Sequence, residues 1–225
     1  AEYRMRIFNA DGSEAEMCGN GTRCFAMWIA KHVLKKKRAE ISFSTIAGTI
    51  HAKVDFKDDA DFCLSRIRLS DPTKLRRDFS MKLFGKKANV SFVNTGVPHA
   101  VLFMTNLDTV NVKKRGYEVR HHKEFYPAGT NVNFIEHLGN NKIAIRTYER
   151  GVEDETLSCG TGTCASAIIA GLSIDDSKEC YKIDVMSRSN EKLTVEYKRK
   201  PDGAIHDVWF EGKAYEVFEG KLHRD

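Results

Sequence analysis

The sequence predicts an α/β protein of the α+β type, built from two homologous units. Three observations lead there. The phrase Cys-Gly-x-Gly-Thr occurs twice, in "EMCGNGTRC" at 16–24 and "LSCGTGTCA" at 157–165, with Cys18 and Cys159 standing 141 residues apart. Both copies share one context: a strand-like run, a polar turn, the phrase, then an apolar helical stretch. The rest of the chain is mostly short alternating runs bounded by turn residues, the pattern of sheet.

The elements follow in order. "YRMRIFNA" alternates as a strand, and "DGSEAEM" is turn-like. A helix is expected over about 20–34, with Phe25, Trp28, Ile29 and Val33 at helical spacing as its buried face. "EISFST", "TIHAKVDF" and "FCLSRIRLS" read as strands, and Asp71-Pro72 marks a break. "VSFVNTG" and "HAVLFM" open the second unit as strands. Part of "DTVNVKKRGYEVRHH" reads as a helix, followed by strands "TNVNFIEH" and "KIAIRTYER". A second helix is expected over about 162–172, and "YKIDVMS", "LTVEYK", "HDVWF" and "AYEVFEG" close the chain as strands.

Composition narrows the function. The 225 residues are 41% hydrophobic and 30% charged, which is globular and enough for real cores. No apolar run approaches the roughly 20 residues of a membrane helix, and no signal-peptide pattern opens the chain. A cytoplasmic protein is expected, with no membrane partner. The net charge of +5 is mild, and its densest run, Lys35-Lys36-Lys37-Arg38, reads as the solvated end of a helix. It lacks aromatic interleaving, so no nucleic-acid partner is expected. The six cysteines, at 18, 24, 63, 159, 164 and 180, do not show the Cys-x2-Cys spacing of zinc sites. So long a chain needs no disulfide staples, and reduced thiols are expected. Cys24 and Cys164 fall on apolar helical stretches and read as core.

The duplicated phrase carries the chemistry. Glycines permit close backbone approach. A helix N-terminus offers unpaired N–H groups and partial positive charge, which suit a carboxylate or phosphate. The same field favours the thiolate of a cysteine placed there. Two facing units would bring two thiols to opposite sides of one carbon. One thiolate removes a proton and one thiol returns another, which inverts a stereocentre. A single Cys-Gly-x-Gly would more often be a core or turn feature; its duplication in matched context favours the catalytic reading.

"FNADGSEAEMCGNGTRC" (8–24) and "YERGVEDETLSCGTG" (148–162) resemble the two active-site signatures of the diaminopimelate epimerase family, and "NTGVPHAV", "GTNVNFI" and "FEGKLH" extend the likeness along the chain. The resemblance implies interconversion of LL- and meso-2,6-diaminopimelate for lysine and peptidoglycan-precursor synthesis, without pyridoxal phosphate or metal. It implies two pseudo-symmetric domains, 1–72 plus 213–225 and 73–212. Each is a curved, largely antiparallel sheet around a central helix, with the site in the cleft between them. It makes Cys18 and Cys159 the acid/base pair. Gly19, Asn20, Gly160 and Thr161 would bind the reacting carboxylate. Asn9, Asn131, Glu149 and Arg150 would hold the substrate's charged groups, and His99 and Glu149 would tune the thiols.

Three departures stand out. A family Gly-Asn-Asp-Phe stretch before "FNADGS" is missing, so an N-terminally truncated chain is expected, with an exposed sheet edge and a homodimer as one consequence. Val97 replaces a common asparagine, and "GVEDET" is one residue longer than the usual form. A proline- or hydroxyproline-type racemase with paired cysteines, or a non-catalytic fragment, is the alternative. A phenazine-type isomerase of the same fold lacks the cysteine pair.

Overall fold

The structure, a computed structural model, describes residues 2–8, 12–15, 17–58, 60–83 and 85–221. The chain divides into two compact units, residues 1–67 with 211–225, and residues 68–210.

The first unit holds β1 (Tyr3–Arg4), β2 (Ile7–Phe8), β3 (Glu14–Ala15), α1 (Gly19–Trp28), a π-helical turn at Ile29–Val33, β4 (Arg38–Thr45), β5 (Gly48–Phe56) and most of β6 (Phe62–Arg68). The end of β15 (Ile205–Tyr215) completes it. The strand order is β1-β4-β5-β6-β15, with β1 parallel to β4 and β4 antiparallel to β5; β2 and β3 form a separate hairpin. The helix expected over 20–34 is α1 plus the π turn, but its buried face differs from the expected one. Thr22, Arg23, Ala26, Met27, Ile29 and Ala30 are buried, whereas Trp28 is 50% and Val33 44% exposed. Cys24 is exposed, not core as its apolar neighbours suggested. The i, i+4 row from Thr22 through Ala26 to Ala30 carries the packing, and Cys24 lies off it.

The second unit holds β7 (Thr73–Leu83), β8 (Lys86–Asn94), β9 (Pro98–Phe103), α2 (Val112–Arg120), β10 (Asn131–Gly139), β11 (Lys142–Glu149), β12 (Asp154–Thr156), α3 (Gly160–Ile174), β13 (Cys180–Met186) and β14 (Lys192–Arg199). Short 3-10 turns lie at Leu107–Thr109 and Lys123–Phe125. The order is β15-β14-β13-β11-β10-β9-β8-β7, and β12 pairs with β11. β9/β10 and β11/β13 are parallel; β7/β8, β8/β9, β10/β11 and β13/β14 are antiparallel. Asn140 and Asn141, with φ of 49° and 56°, make the β10–β11 turn; asparagine tolerates that left-handed region.

α3 is apolar on every side, and eleven of its residues, from Gly162 to Leu172, are buried. It packs against β8, β9, β10, β11, β13 and β14, so the sheet wraps it. The opposite sheet face, with Ala100, Val132, Phe134 and Tyr148, packs with Val112 and Val119 of α2 in a second cluster. Among the described residues no helix is long and apolar enough to cross a membrane.

Two strands depart from expectation. β7 is not legible in the sequence because register shifts at Thr73–Arg76 and Arg76–Phe79, with positive φ at Lys74 and Asp78, break its alternation. It ends the strand order and buries only Met81 and Leu83. "HDVWF" and the start of "AYEVFEG" belong to one strand, β15, and residues 216–220 are not strand. Glu216 turns instead to Lys31 and to His32 Nε2, the latter at 2.9 Å.

Candidate functional site

The two copies of the phrase fold alike. Cys18 is the N-cap of α1 and Cys159 the N-cap of α3, with nearly equal dihedrals of −139°/112° and −128°/112°. In each, the following threonine closes back on the cap. Thr22 N and Oγ1 donate to Cys18 O at 2.9 and 2.7 Å; Thr163 N and Oγ1 donate to Cys159 O at 2.8 and 2.9 Å. The extended cap turns the cysteine out of the helix and leaves the first-turn N–H groups pointing past it. The second glycine keeps the space beside the sulfur open. A Cβ on Gly21 would lie 3.7 Å from Cys18 Sγ; one on Gly162 would lie 3.3 Å from Cys159 Sγ and 2.5 Å from Asn133 Oδ1.

In the first unit, Gly21 N donates to Cys18 Sγ at 3.5 Å, and the thiol is exposed. Asn20 Oδ1 accepts from Arg23 Nη2 at 2.9 Å, while Arg23 Nη1 donates to Lys213 O at 3.0 Å. Asn20 is therefore tied to a buried arginine that docks α1 onto β15. Asn9 lies outside the described residues.

In the second unit, strand periodicity assembles the site. Asn131 pairs with His99 across β9/β10, and Asn133 with Thr147 across β10/β11. Because side chains alternate, His99, Asn131, Asn133, Thr147 and Glu149 share one sheet face. His99 and Asn133 are fully buried there, and Asn131 and Thr147 nearly so. Buried polar groups require partners, and these have them. Asn133 Nδ2 lies 3.1 Å from both His99 Nδ1 and Ala100 O, and Thr147 Oγ1 donates to Asn133 Oδ1 at 3.0 Å. His99 Nε2 lies 3.0 Å from Thr161 Oγ1, which lies 3.6 Å from Cys159 Sγ.

Asn131 Nδ2 donates to Pro98 O at 3.1 Å, and its Oδ1 accepts from Arg150 N at 2.9 Å. Arg150 Nη1 also donates to Ala128 O at 3.1 Å. The structure thus brings His99, Asn131, Glu149, Arg150, Cys159, Gly160 and Thr161 to one end of α3. Asn133 and Thr147 were missed in the sequence. The signal for them was polar alternation, N-x-N and T-x-E, in strands otherwise read as ordinary apolar ones.

The electrostatics at Cys159 oppose the helix-end field. Burial pushes the Cys159 thiol up to about 11, and the Glu149 charge adds to it. The Thr161 hydroxyl and the N–H groups of Gly162 and Thr161 pull the other way. The helix-end field is thus outweighed by desolvation, and Cys159 rests as a thiol. Burial also holds the His99 imidazole down to about 3, with Arg150 contributing, so this histidine is neutral.

A neutral buried histidine makes stability fall on acidification. The unfolded chain takes up a proton near pH 6.5 and the folded one only near 3. This contribution is complete above about pH 6.5 and declines by up to about 1.4 kcal/mol per unit as pH falls toward 3. Urea titrations between about pH 7 and pH 4.5 should show this slope. His99→Gln, with no proton to take up, should flatten it; an equal slope in both proteins would assign it elsewhere.

The "Diaminopimelate epimerase" family model matches residues 1–65 and 91–202. The chain is 38% identical over 224 residues to the diaminopimelate epimerase of Aquifex aeolicus (strain VF5), covering 100% of this chain and 76% of that protein. It is 40% identical over 227 residues to that of Hydrogenobaculum sp. (strain Y04AAS1), covering 98% and 75%. Among solved structures, a Bacillus anthracis phenazine biosynthesis protein of the PhzF family superposes with a TM-score of 0.72 at 16% identity, covering 97% of this chain and 80% of that one. A probable proline racemase from Agrobacterium radiobacter K84 also gives 0.72, at 15% identity, covering 99% and 72%. These two establish a shared fold.

Proposed function

Because the chain belongs to the diaminopimelate epimerase family, we propose that it interconverts LL- and meso-2,6-diaminopimelate by moving protons at the α-carbon. The observation that carries this reading is the matched pair of helix caps: two cysteines, each opening a Gly-x-Gly-Thr helix. In the reaction one cysteine, as thiolate, takes the α-proton. The other, as thiol, delivers its own proton to the opposite face. The thiolate and thiol have then exchanged roles, and the product is the epimer. Burial that keeps Cys159 protonated suits it to the donor role, with Cys18 as acceptor in that direction.

The first-turn N–H groups of Gly160 and Thr161, with those of Gly19 and Asn20, suit a carboxylate whose charge grows as the carbanion forms. Arg150 suits a bidentate carboxylate contact and Glu149 an ammonium. Asn131 holds Arg150 in place, and Asn9 is a further proposed substrate contact. A cytoplasmic setting keeps both thiols reduced, as this chemistry requires.

The test is proton exchange in deuterated water. Incubated with diaminopimelate, the protein should incorporate deuterium at the α-carbon as the epimer forms, and should leave proline unlabelled. Labelling of proline alone would move the assignment to the racemases that share the fold. Labelling of neither would overturn the catalytic reading.

A further inference from the structure

The hydrogen bonds around His99 have only one consistent direction. Ala100 O can only accept, so the group 3.1 Å from it must be the amide nitrogen of Asn133. The amide oxygen then takes the Thr147 hydroxyl, at 3.0 Å. The same amide nitrogen faces His99 Nδ1, which must therefore be the bare, accepting nitrogen. The ring is neutral, so its proton sits on Nε2 and is donated to Thr161 Oγ1. The Thr161 hydroxyl accepts from the imidazole and keeps its own hydrogen, for which Cys159 Sγ at 3.6 Å is a partner within reach.

We propose that Asn133 is a positioning residue for Cys159, acting through the tautomer of His99 to aim the Thr161 hydroxyl at the sulfur. Asn133 does not touch the reacting atoms. It decides that the chain of donors ends on Cys159 instead of starting there. Removed, it would free His99 to carry its proton on Nδ1; the Thr161 hydroxyl would then donate to Nε2, and the sulfur would lose its donor. Gly162 makes the arrangement possible, since any Cβ there would collide with Asn133 Oδ1. The charged and titratable groups around this chain are Glu149 toward Cys159, Arg150 toward His99, and Cys164 one turn along α3.

The inference rests on the reading of Cys159 as a proton carrier, but its test needs no turnover. Carbamidomethylation of the free protein at a fixed, mildly alkaline pH is followed at Cys159 by peptide mass spectrometry, with exposed Cys180 as internal reference. The rate reports the thiolate fraction. Loss of one hydrogen bond to the charged form should slow it about tenfold in Thr161→Val, and Thr161→Ser should restore it. Asn133→Leu should slow Cys159 to a similar extent while leaving Cys180 unchanged. A merely structural role predicts the reverse, because a loosened fold exposes the sulfur and speeds its alkylation.

Nitrogen-15 NMR of the unmodified protein supplies a second reading that does not depend on any variant folding. It should find His99 protonated on Nε2. A proton on Nδ1, or an Asn133→Leu rate at or above that of the parent, would overturn the proposal. Absent proton exchange with diaminopimelate would instead sink the functional reading, and the alkylation rates and the His99 tautomer would still report the donor order at Cys159.

Discussion

Cys18→Ala and Cys159→Ala should each abolish epimerisation, lowering the rate by at least about 10³-fold. Inversion needs a proton carrier on each face of the carbon, and alanine is neither acid nor base. The loss should appear in both directions of the reaction, because each cysteine is acceptor in one and donor in the other. Folding should survive. The cysteine side chain contributes one weak cap contact in α1, from Gly21 N at 3.5 Å, and no cap hydrogen bond in α3. The rest of each cap is made by Thr22 and Thr163. Chiral chromatography of diaminopimelate after incubation, beside a thermal melt of each variant, separates chemistry from stability. Near-normal epimerisation by either variant would refute the two-carrier mechanism.

Arg146→Ala should lower stability by about 3–5 kcal/mol. Arg146 is nearly buried in β11. Its Nε and Nη2 each donate to the Glu155 carboxylate at 2.7 Å, and Nη1 donates to Leu107 O and Val110 O at 2.9 and 3.0 Å. Glu155 lies on β12, the strand that leads into Cys159, so the same fork fastens the loop before α3. Alanine removes both short donors from the Glu155 carboxylate, which keeps only the Arg188 ion pair at 3.7 Å, and takes the guanidinium from Val110 O, while Leu107 O still accepts from Val110 N. Arg146→Lys should recover little, because an ammonium cannot span the carboxylate and the 3-10 turn together. Urea unfolding measures the loss; a drop below about 1 kcal/mol would show that water replaces the guanidinium at little cost.

The site was unevenly legible. The duplicated phrase was visible because its determinants are local: a cap, two glycines and a threonine that reaches back four residues. Both cysteines could be placed at helix starts for that reason. Asn133 and Thr147 were not visible, because each is informative only beside the other. They meet across β10/β11 at a separation of 14 residues, and each alone is an unremarkable strand residue. The bonds that join the Asn131 side chain to Pro98 and Arg150 are likewise not legible in the sequence, because they form across a strand pair and a loop.

The sequence by itself determined the two-unit plan, the helix that each phrase opens, most of the strands and the place of Cys18 and Cys159 at helix starts. All of these follow from periodicity and from contacts a few residues apart. Only the tertiary structure decided which face of α1 is buried, that Cys24 is exposed, and that β7 is a bulged strand at the end of its order. It also decided the resting state of Cys159. A helix N-terminus favours a thiolate, but its field is a local effect of partial charges. Burial acts against it at Cys159 and pushes the thiol up, and burial depends on residues that only the fold brings near.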